Sequence, residues 1–370
     1  MAEFHLSDAD SLVIANAAWG VVGTPSEESR RASLATFFRQ CELEVDKCFH
    51  LPSPPVRRER AAEDIVRIIE DLVSDPTRRR EELISHGLDL GVVMLFMTGS
   101  HPPTGLAWLQ TESLSNFMSR VYTTHNLTGY DAGHRRLRLR SISAANLKRH
   151  GRIRIVWTDQ LSNHLRLKIT SNKKILFLFS HASFLEQALK RLSDNDATMS
   201  HSMADALRLG CLHPRLLRET LMTLQVLFPA VGDDSRAMLA SDISTHGLDP
   251  HLLGVFSYHY GPSEEHHRGN DVFSSADLLR VYQYWGPALN ELLMEVDDPT
   301  PITRRARWAD RRKSPRFTYW CTAVGICFAL FFGIAATMLA AIQVWLSWCA
   351  FVEAPTMFKC HRLGPKNPPS

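Results

Sequence analysis

The chain has 370 residues, of which 45% are hydrophobic and 22% are charged, and its formal net charge is +3. This composition excludes a disordered or fibrous chain and is typical of a globular protein. The seven cysteines show neither paired nor metal-binding spacing. They exclude a disulfide framework and indicate a reducing compartment.

The positive charge is concentrated near the end of the chain. Residues 1–303 carry a net charge of −5, whereas residues 304–316 carry +6. This distribution argues against a nucleic-acid-binding protein and favours attraction to the anionic headgroups of a lipid bilayer. The basic residues of this segment are Arg304, Arg305, Arg307, Arg311, Arg312, Lys313 and Arg316.

Residues 1–100 predict a helical N-terminal region. Apolar residues at three- and four-residue steps predict an amphipathic helix, and they are Ile65, Ile68, Ile69 and Leu72. The apolar run over residues 88–97 is too short to cross a membrane, so it predicts a buried helix.

Residues 105–300 predict an α+β domain that is mostly helical. Polar and apolar residues alternate over 152–155 and again over 165–169, as in strands with one wet face. A turn at 171–173 leads into a third apolar run. We therefore expect a small antiparallel β-meander near residues 152–179, packed with helices.

The last helical part of this domain combines an apolar seam with a break. The seam residues are Leu278, Tyr282, Trp285, Leu289, Leu292 and Val296. Because Pro287 removes a main-chain donor, the sequence predicts two helices with a bend. The seam is interpreted as core packing, and the alternative is a contact with a partner helix.

An uncharged stretch over residues 317–352 predicts one C-terminal transmembrane helix. From Trp320 to Trp345 a helix covers roughly 37 Å, which exceeds the ~30 Å hydrocarbon layer. Aromatic residues at both ends form two interfacial belts. The belt residues are Tyr319, Trp320, Trp345 and Trp348.

The flanking segments predict the orientation of this helix. Residues 301–316 are expected to form a basic juxtamembrane helix, and the more basic side faces the cytosol. Residues 353–370 form a short polar tail on the other side. With no signal-peptide run at the start, we expect a single-pass, tail-anchored membrane protein with its bulk in the cytosol. The sequon at Asn126 should then carry no glycan.

Small residues recur every four positions along the transmembrane helix, namely Gly325, Ala329, Gly333, Thr337 and Ala341. Such a ridge lets another helix approach closely. A homo-oligomer formed through this face is therefore the alternative to a monomeric anchor.

The first candidate for chemistry is Asp159 with His164, five residues apart across a predicted turn. A carboxylate can orient an imidazole for proton transfer, but no nucleophile motif accompanies the pair. The competing interpretation makes Asp159 a turn acceptor and His164 a packed polar residue.

The second candidate is a histidine-rich stretch that contains His246, His251, His259, His266 and His267. The weak candidates for metal ligands are His259, His266 and His267, because imidazole with nearby carboxylates suits Zn²⁺. No helical spacing of paired ligands is present. A solvated loop is therefore favoured, and no cofactor is predicted.

The third candidate is a basic run over residues 135–174, which carries a net charge of +11. The strand positions predict a cationic sheet face that consists of Arg152, Arg154, Arg166 and Lys168. Such a face suits phosphate, RNA or anionic lipid. A solvated face, or one covered by the chain's own acidic helices, is the competing interpretation.

Residues 135–350 carry a family resemblance. Its motifs are Trp157-Thr158-Asp159-x-Leu161-x-x-His164-Leu165, Tyr284-Trp285-Gly286-x-x-Leu289-Asn290-Glu291-Leu292, Pro299-Thr300-Pro301, Trp308, Arg311-Arg312-Lys313-Ser314 and Gln343-x-Trp345. With these motifs the chain resembles a large family of uncharacterised fungal proteins. The resemblance implies a cytosolic α+β domain with one C-terminal membrane helix, and it implies no activity.

The favoured function is a membrane-tethered interaction or scaffolding protein, because the chain carries an anchor and lacks a catalytic signature. We expect a protein partner. The alternative is an enzyme, hydrolase-like or metal-dependent, whose site is assembled from scattered residues such as Asp159 and His164.

Overall fold

The computed structural model describes residues 4–20, 27–83, 87–99, 107–125, 137–195, 201–229, 234–254, 272–273, 275–300 and 315–351. The chain divides into two compact units, Met1–Thr300 and Pro301–Ser370. The first unit holds the sheet and most of the helices, and the second holds one long helix.

The described part of the first unit is mostly helical, as the sequence predicts. Its first seven helices are α1 (Asp8–Trp19), α2 (Glu27–Ser33), α3 (Ala35–Phe49), α4 (Ala61–Ser74), α5 (Leu88–Phe96), α6 (Leu114–Val121) and α7 (Ala144–Arg149). The next six are α8 (Ala182–Asp194), α9 (Met203–Arg208), α10 (Pro214–Leu227), α11 (Ser235–His246), α12 (Ser275–Val281) and α13 (Gly286–Asp297).

Local sequence explains several of these helices. Ser7 caps α1 and Ser113 caps α6, because each hydroxyl accepts a hydrogen bond from a main-chain N–H of the first turn. The predicted apolar face of α4 is buried. Helix α5 is also buried, as its composition predicts, and Gly91 lets it approach Ile68 and Leu72 of α4.

A three-stranded mixed sheet replaces the predicted meander. Its strands are β2 (Ile153–Thr158), β3 (Leu167–Ile169) and β4 (Lys174–Phe179), and their order is β2-β4-β3. The hairpin between β3 and β4 is antiparallel, as predicted. However, β2 pairs with β4 in parallel, so the prediction of a wholly antiparallel meander is wrong. Two short strands, β1 (Leu137–Arg138) and β5 (Val272–Phe273), form a separate antiparallel pair.

The reason for this order lies in β4. Its apolar residues contribute to both faces, and most of them are buried. A strand that buries both faces is most stable between two neighbours. The chain reaches this arrangement because it changes direction twice after β2, at the 3₁₀ turn Leu161–Asn163 and at Leu165, whose φ is +57°.

Helix α10 lies at the centre of the core. Its side chains are buried around nearly the whole circumference, which is the pattern of an interior helix rather than a surface helix. Polar side chains on α10 therefore need partners inside the protein. These buried polar residues are Glu219, Thr220 and Thr223.

The predicted break within the last apolar seam is confirmed. Helix α12 ends at Val281, and α13 begins at Gly286 with Pro287 in its first turn. The seam residues pack in the hydrophobic core of the first unit. Core packing, rather than a contact with another chain, therefore explains this pattern.

The second unit contains helix α14 (Pro315–Phe351). Within it, Cys321–Cys349 is long and apolar enough to cross a membrane. Nearly all of its described side chains are exposed. The predicted membrane helix, 317–352, begins two residues after the start of α14 and ends one residue after its end.

Candidate functional site

A cleft of 570 Å³ opens beside the carboxyl ends of β2 and β4. Clefts of roughly 300 to 1,000 Å³ are typical of ligand sites. Because the two strands are parallel, the residues that follow them meet at the same end of the sheet. The cleft is lined by Arg154, Ile155, Val156, Trp157, Asp159, Ser180, Asp242, His246 and Leu248.

Asp159, which follows β2, is hydrogen-bonded to His181, which follows β4. His181 Nε2 lies 2.7 Å from Asp159 Oδ1, and Ser180 Oγ donates to the same oxygen over 3.3 Å. The hydrogen bond from His181 lowers the pKa of Asp159, although partial burial opposes this shift. The Asp159 side chain is 49% exposed, so an ionised carboxylate faces the cleft.

The chemistry of this pair is that of an acid or base. A carboxylate bonded to an imidazole can accept a proton from a ligand in the cleft. Covalent catalysis would need a nucleophile as well. Ser180 lines the cleft, but its single hydroxyl proton is shared between the Thr158 carbonyl and Asp159, and neither of its bonds is to an imidazole base that would activate it.

The opposite wall of the cleft is formed by α11 and the residues after it. Asp242 Oδ2 accepts a hydrogen bond of 3.1 Å from Trp157 Nε1. The Trp157 ring stacks on Phe228, with centroids 5.8 Å apart. His246, in the last turn of α11, is exposed. The cleft therefore brings Asp159 close to one member of the histidine-rich stretch.

The structure separates His164 from Asp159. His164 is 2% exposed, its Nδ1 accepts from the Phe179 N–H over 3.2 Å, and its Nε2 lies 2.7 Å from Thr223 Oγ1. Burial lowers the pKa of His164 to about 3, so the ring is neutral at physiological pH. His164 is a packed polar residue of the core, and its hydrogen-bonded neighbours do not include Asp159.

Three further residues extend the hydrogen bonds of His164. Thr223 Oγ1 donates to the carbonyl of Thr220 over 2.7 Å, and Trp285 Nε1 donates to Thr220 Oγ1 over 2.9 Å. The His164 and Trp285 rings meet edge to face at 5.0 Å. We call His164, Thr220, Thr223 and Trp285 the closed polar network.

Glu219 lies beside this network and fixes the start of α13. Its carboxylate accepts main-chain N–H groups from Gln283 and Tyr284, each over 2.8 Å, and from Trp285 over 3.3 Å. Burial raises the pKa of Glu219, and these three hydrogen bonds oppose the shift. This role was not predicted from the sequence, although a single carboxylate within an apolar helix is a recognisable signal.

Lys174 and Glu295 form a buried ion pair between β4 and α13. Glu295 also accepts the N–H of Thr300 over 2.9 Å and its hydroxyl over 2.6 Å. Lys174 is the last residue of the basic run 135–174. The register instead places it beside the buried Ile153, on the packed face of the sheet.

The predicted cationic face is smaller than expected. Arg154 and Lys168 both pair with Ile175, so the three side chains share one face, and both cations are exposed. Arg166 lies outside β3 and donates to Asn163 Oδ1 over 3.2 Å. Arg152 precedes β2 and has a φ of +53°, which removes it from the regular alternation of the strand.

Several predicted site residues lie outside the described residues. They are Asn126, His259, His266, His267, Arg304, Arg305, Arg307, Arg311, Arg312 and Lys313. Of the described histidines in the same stretch, His251 pairs with Glu186 over 3.2 Å. Within the described ranges, no group of three or more His, Cys, Asp or Glu side chains could hold a metal ion.

Trp320 lies within α14, as predicted, and Arg316, which was predicted to belong to the basic segment before the membrane helix, also lies within α14. Trp345 and Trp348 are exposed. A Cβ placed on Gly325 or on Gly333 would meet no atom within 4 Å. Together with Ala329 and Thr337, these glycines therefore leave an open face along the helix.

No family model, curated protein or solved structure matches the chain. The resemblance to fungal membrane proteins stays a prediction.

Proposed function

We propose that the protein is a membrane-tethered interaction or scaffolding protein. The observation that carries this proposal is helix α14, which contains 29 consecutive residues able to cross a bilayer and whose apolar side chains are exposed. Exposed apolar surface of this length is stable in lipid rather than in water. The helix follows the compact unit Met1–Thr300 in the chain.

The charge distribution supports the orientation in this proposal. The basic segment before α14 favours the cytosolic side and attracts anionic lipid headgroups, each basic residue contributing about 1 kcal/mol near the surface. We propose a single-pass, tail-anchored topology with the bulk of the chain in the cytosol. The open face at Gly325 and Gly333 supports a homo-oligomer through α14 as a further contact.

The cleft beside β2 supports an interaction role. It is open, it has charged and aromatic walls, and the one hydroxyl named in its lining, that of Ser180, is bonded to Thr158 and Asp159 rather than to an imidazole base. A partner protein that binds there would be held close to the membrane surface. Such co-localisation is how a tethered domain raises the effective concentration of its partners.

Chemical cross-linking in isolated membranes tests the proposed function. The full chain is expected to form discrete adducts with a partner. A variant in which every residue of the apolar helix is replaced by leucine should form the same adducts, because the interaction resides in residues 1–300. A chain that ends at residue 300 should leave the membrane fraction and lose adducts with membrane-bound partners. A full chain without adducts would contradict the interaction role.

One observation favours an enzyme as the second candidate. The hydrogen-bonded pair of Asp159 and His181 lies in the cleft at the carboxyl ends of two parallel strands, where active sites commonly form. Screening the full chain for hydrolysis of ester and phosphoester substrates tests this candidate. Activity that the substitution Asp159→Asn abolishes would support it, and equal activity of the two proteins would exclude Asp159 as the base.

A further inference from the structure

Strand β2 has one free edge. The three-stranded sheet has the order β2-β4-β3, so β2 pairs on one side only among the described strands. The Ser180 N–H donates to the Thr158 carbonyl over 3.1 Å, which shows that the main chain of Thr158 faces β4. Because main-chain groups alternate along a strand, those of Ile155 and Trp157 face the other edge.

The main-chain groups at this edge point away from the other described strands of the sheet. No hydrogen bond from another described residue reaches the N–H or C=O of Ile155 or Trp157. Unpaired groups on a sheet edge are a template for another strand. The two residues together offer two donors and two acceptors.

The cleft runs along this same edge. Four consecutive residues of β2 line one wall, and α11 with Leu248 forms the other. An extended chain advances ~3.3 Å per residue, so roughly 16 Å separates Arg154 from Asp159. The cleft therefore suits an extended segment of about six residues.

The charges along the cleft specify the ends of that segment. Arg154 is exposed near the start of β2, whereas Asp159 and Asp242 line the cleft near its end. A complementary segment carries an acidic residue beside Arg154 and a basic residue beside Asp159. Since antiparallel pairing is slightly more stable per residue, the basic residue comes first in the segment.

We infer that the cleft binds an extended segment of a partner protein by strand addition to β2. The segment begins with Lys or Arg, ends five residues later with Asp or Glu, and has β-branched residues between them. Its main chain bonds to Ile155 and Trp157, and its terminal charges pair with Asp159 and Arg154. This inference rests on the proposed interaction function and names the chemistry of the partner.

Peptide selection tests the inference. The full chain, embedded in lipid nanodiscs, is used to select binders from a displayed library of random decapeptides. Enriched peptides are expected to show the predicted charge pattern, and their affinities are then measured by fluorescence polarisation. Failure to enrich any peptide, or enrichment without the charge pattern, would overturn the inference.

The substitution Ile155→Pro is the sharpest variant. Proline removes a donor from the free edge and leaves the bonds to β4 in place, because proline is tolerated on edge strands when its nitrogen faces outward. Binding of the selected peptide should weaken at least tenfold. Equal affinity of the variant and the unsubstituted protein would overturn strand addition.

Ile169→Pro is the matched control, since Ile169 lies on β3 at the opposite edge of the sheet. The Phe177 N–H donates to the Arg166 carbonyl, so alternation points the N–H of Ile169 outward as well. Peptide affinity should not change in this variant. An equal loss in both proline variants would show that damage to the sheet, rather than the β2 edge, explains the effect and would overturn the inference.

Charge reversal gives a second measurement that does not depend on proline. Arg154→Glu should weaken binding of the selected peptide severalfold, and a peptide with Lys in place of its acidic residue should restore the affinity. Absence of restoration would overturn the charge register. If membrane cross-links to a partner persist while selection fails, the proposed function survives and strand addition does not.

Discussion

The closed polar network and the cleft contain similar side chains but differ in their access to solvent. His164 is 2% exposed and both of its ring nitrogens have partners inside the core. Asp159, beside His181, is 49% exposed and lines an open cleft. The comparison shows that burial, rather than residue type, separates polar groups that hold the fold from groups that are free to bind a ligand.

Lys174→Ala should produce the largest loss of stability, because it leaves the Glu295 carboxylate buried without its cation. Breaking a buried ion pair typically costs about 3–5 kcal/mol. Urea denaturation of residues 1–300 within the full chain measures the free energy of unfolding. The double variant Lys174→Met with Glu295→Gln removes both charges and should recover most of the loss. A single variant as stable as the unsubstituted protein would refute the role of this pair.

Glu219→Ala should produce the second largest loss of stability, roughly 3 kcal/mol. The substitution leaves three main-chain N–H groups without their acceptor, and an unsatisfied buried donor costs about 1–3 kcal/mol. Thermal unfolding measures the effect. Arg215, whose side chain is 35% exposed, pairs with the same carboxylate over 3.3 Å. Arg215→Ala should cost less, and a larger effect at Arg215 than at Glu219 would reverse our assignment.

The closed polar network predicts a pH dependence. The pKa of His164 falls from 6.5 to about 3 on burial, so the unfolded chain binds more protons between these values. The contribution of His164 to the free energy of unfolding is therefore fully present above pH 6.5 and is lost as the pH falls. This loss amounts to roughly 2 kcal/mol between pH 7.5 and pH 5. Denaturation at several pH values measures the slope. His164→Gln should flatten it, and an unchanged slope would show that another group is responsible.

Asp159→Asn should have the smallest effect on stability. The carboxylate is half exposed, so solvent screens its interaction with His181, and we expect a change of at most about 1 kcal/mol. Thermal unfolding beside the Glu219→Ala variant provides the comparison. A loss of stability as large as that of Glu219→Ala would contradict this expectation and would mean that Asp159, like Glu219, is needed to hold the fold.

Sequence patterns correctly predicted the elements that are specified by residues close together in the chain. The period of Ile65, Ile68, Ile69 and Leu72 predicted α4, Pro287 predicted the break before α13, and the uncharged run predicted α14. Each of these signals lies within one helix. The structure confirms all three because the residues that specify them are close in the sequence.

The sheet order could not be predicted in this way. Pairing of β2 with β4 depends on residues about 21 positions apart, as in the register of Ile153 with Lys174. The continuous apolar run of β4 is typical of a central strand. The alternation in 152–155 and 165–169 was instead interpreted as a simple meander, and this choice gave β2 the wrong neighbour.

The candidate site was predicted only in part. Asp159 lies in the cleft, but its histidine partner is His181, 22 residues away, rather than His164. The turn after β2 directs His164 into the core, where it meets Thr223 of α10. Spacing along the chain therefore identified a carboxylate but could not identify the side chain that long-range folding brings beside it.

Alkaline carbonate extraction of cell membranes tests the central claim most directly. If α14 spans the bilayer, the full chain should stay in the membrane pellet, and a chain that ends at residue 300 should appear in the supernatant. Recovery of the full chain in the carbonate supernatant, or retention of the shortened chain in the pellet, would contradict a membrane tether formed by this helix.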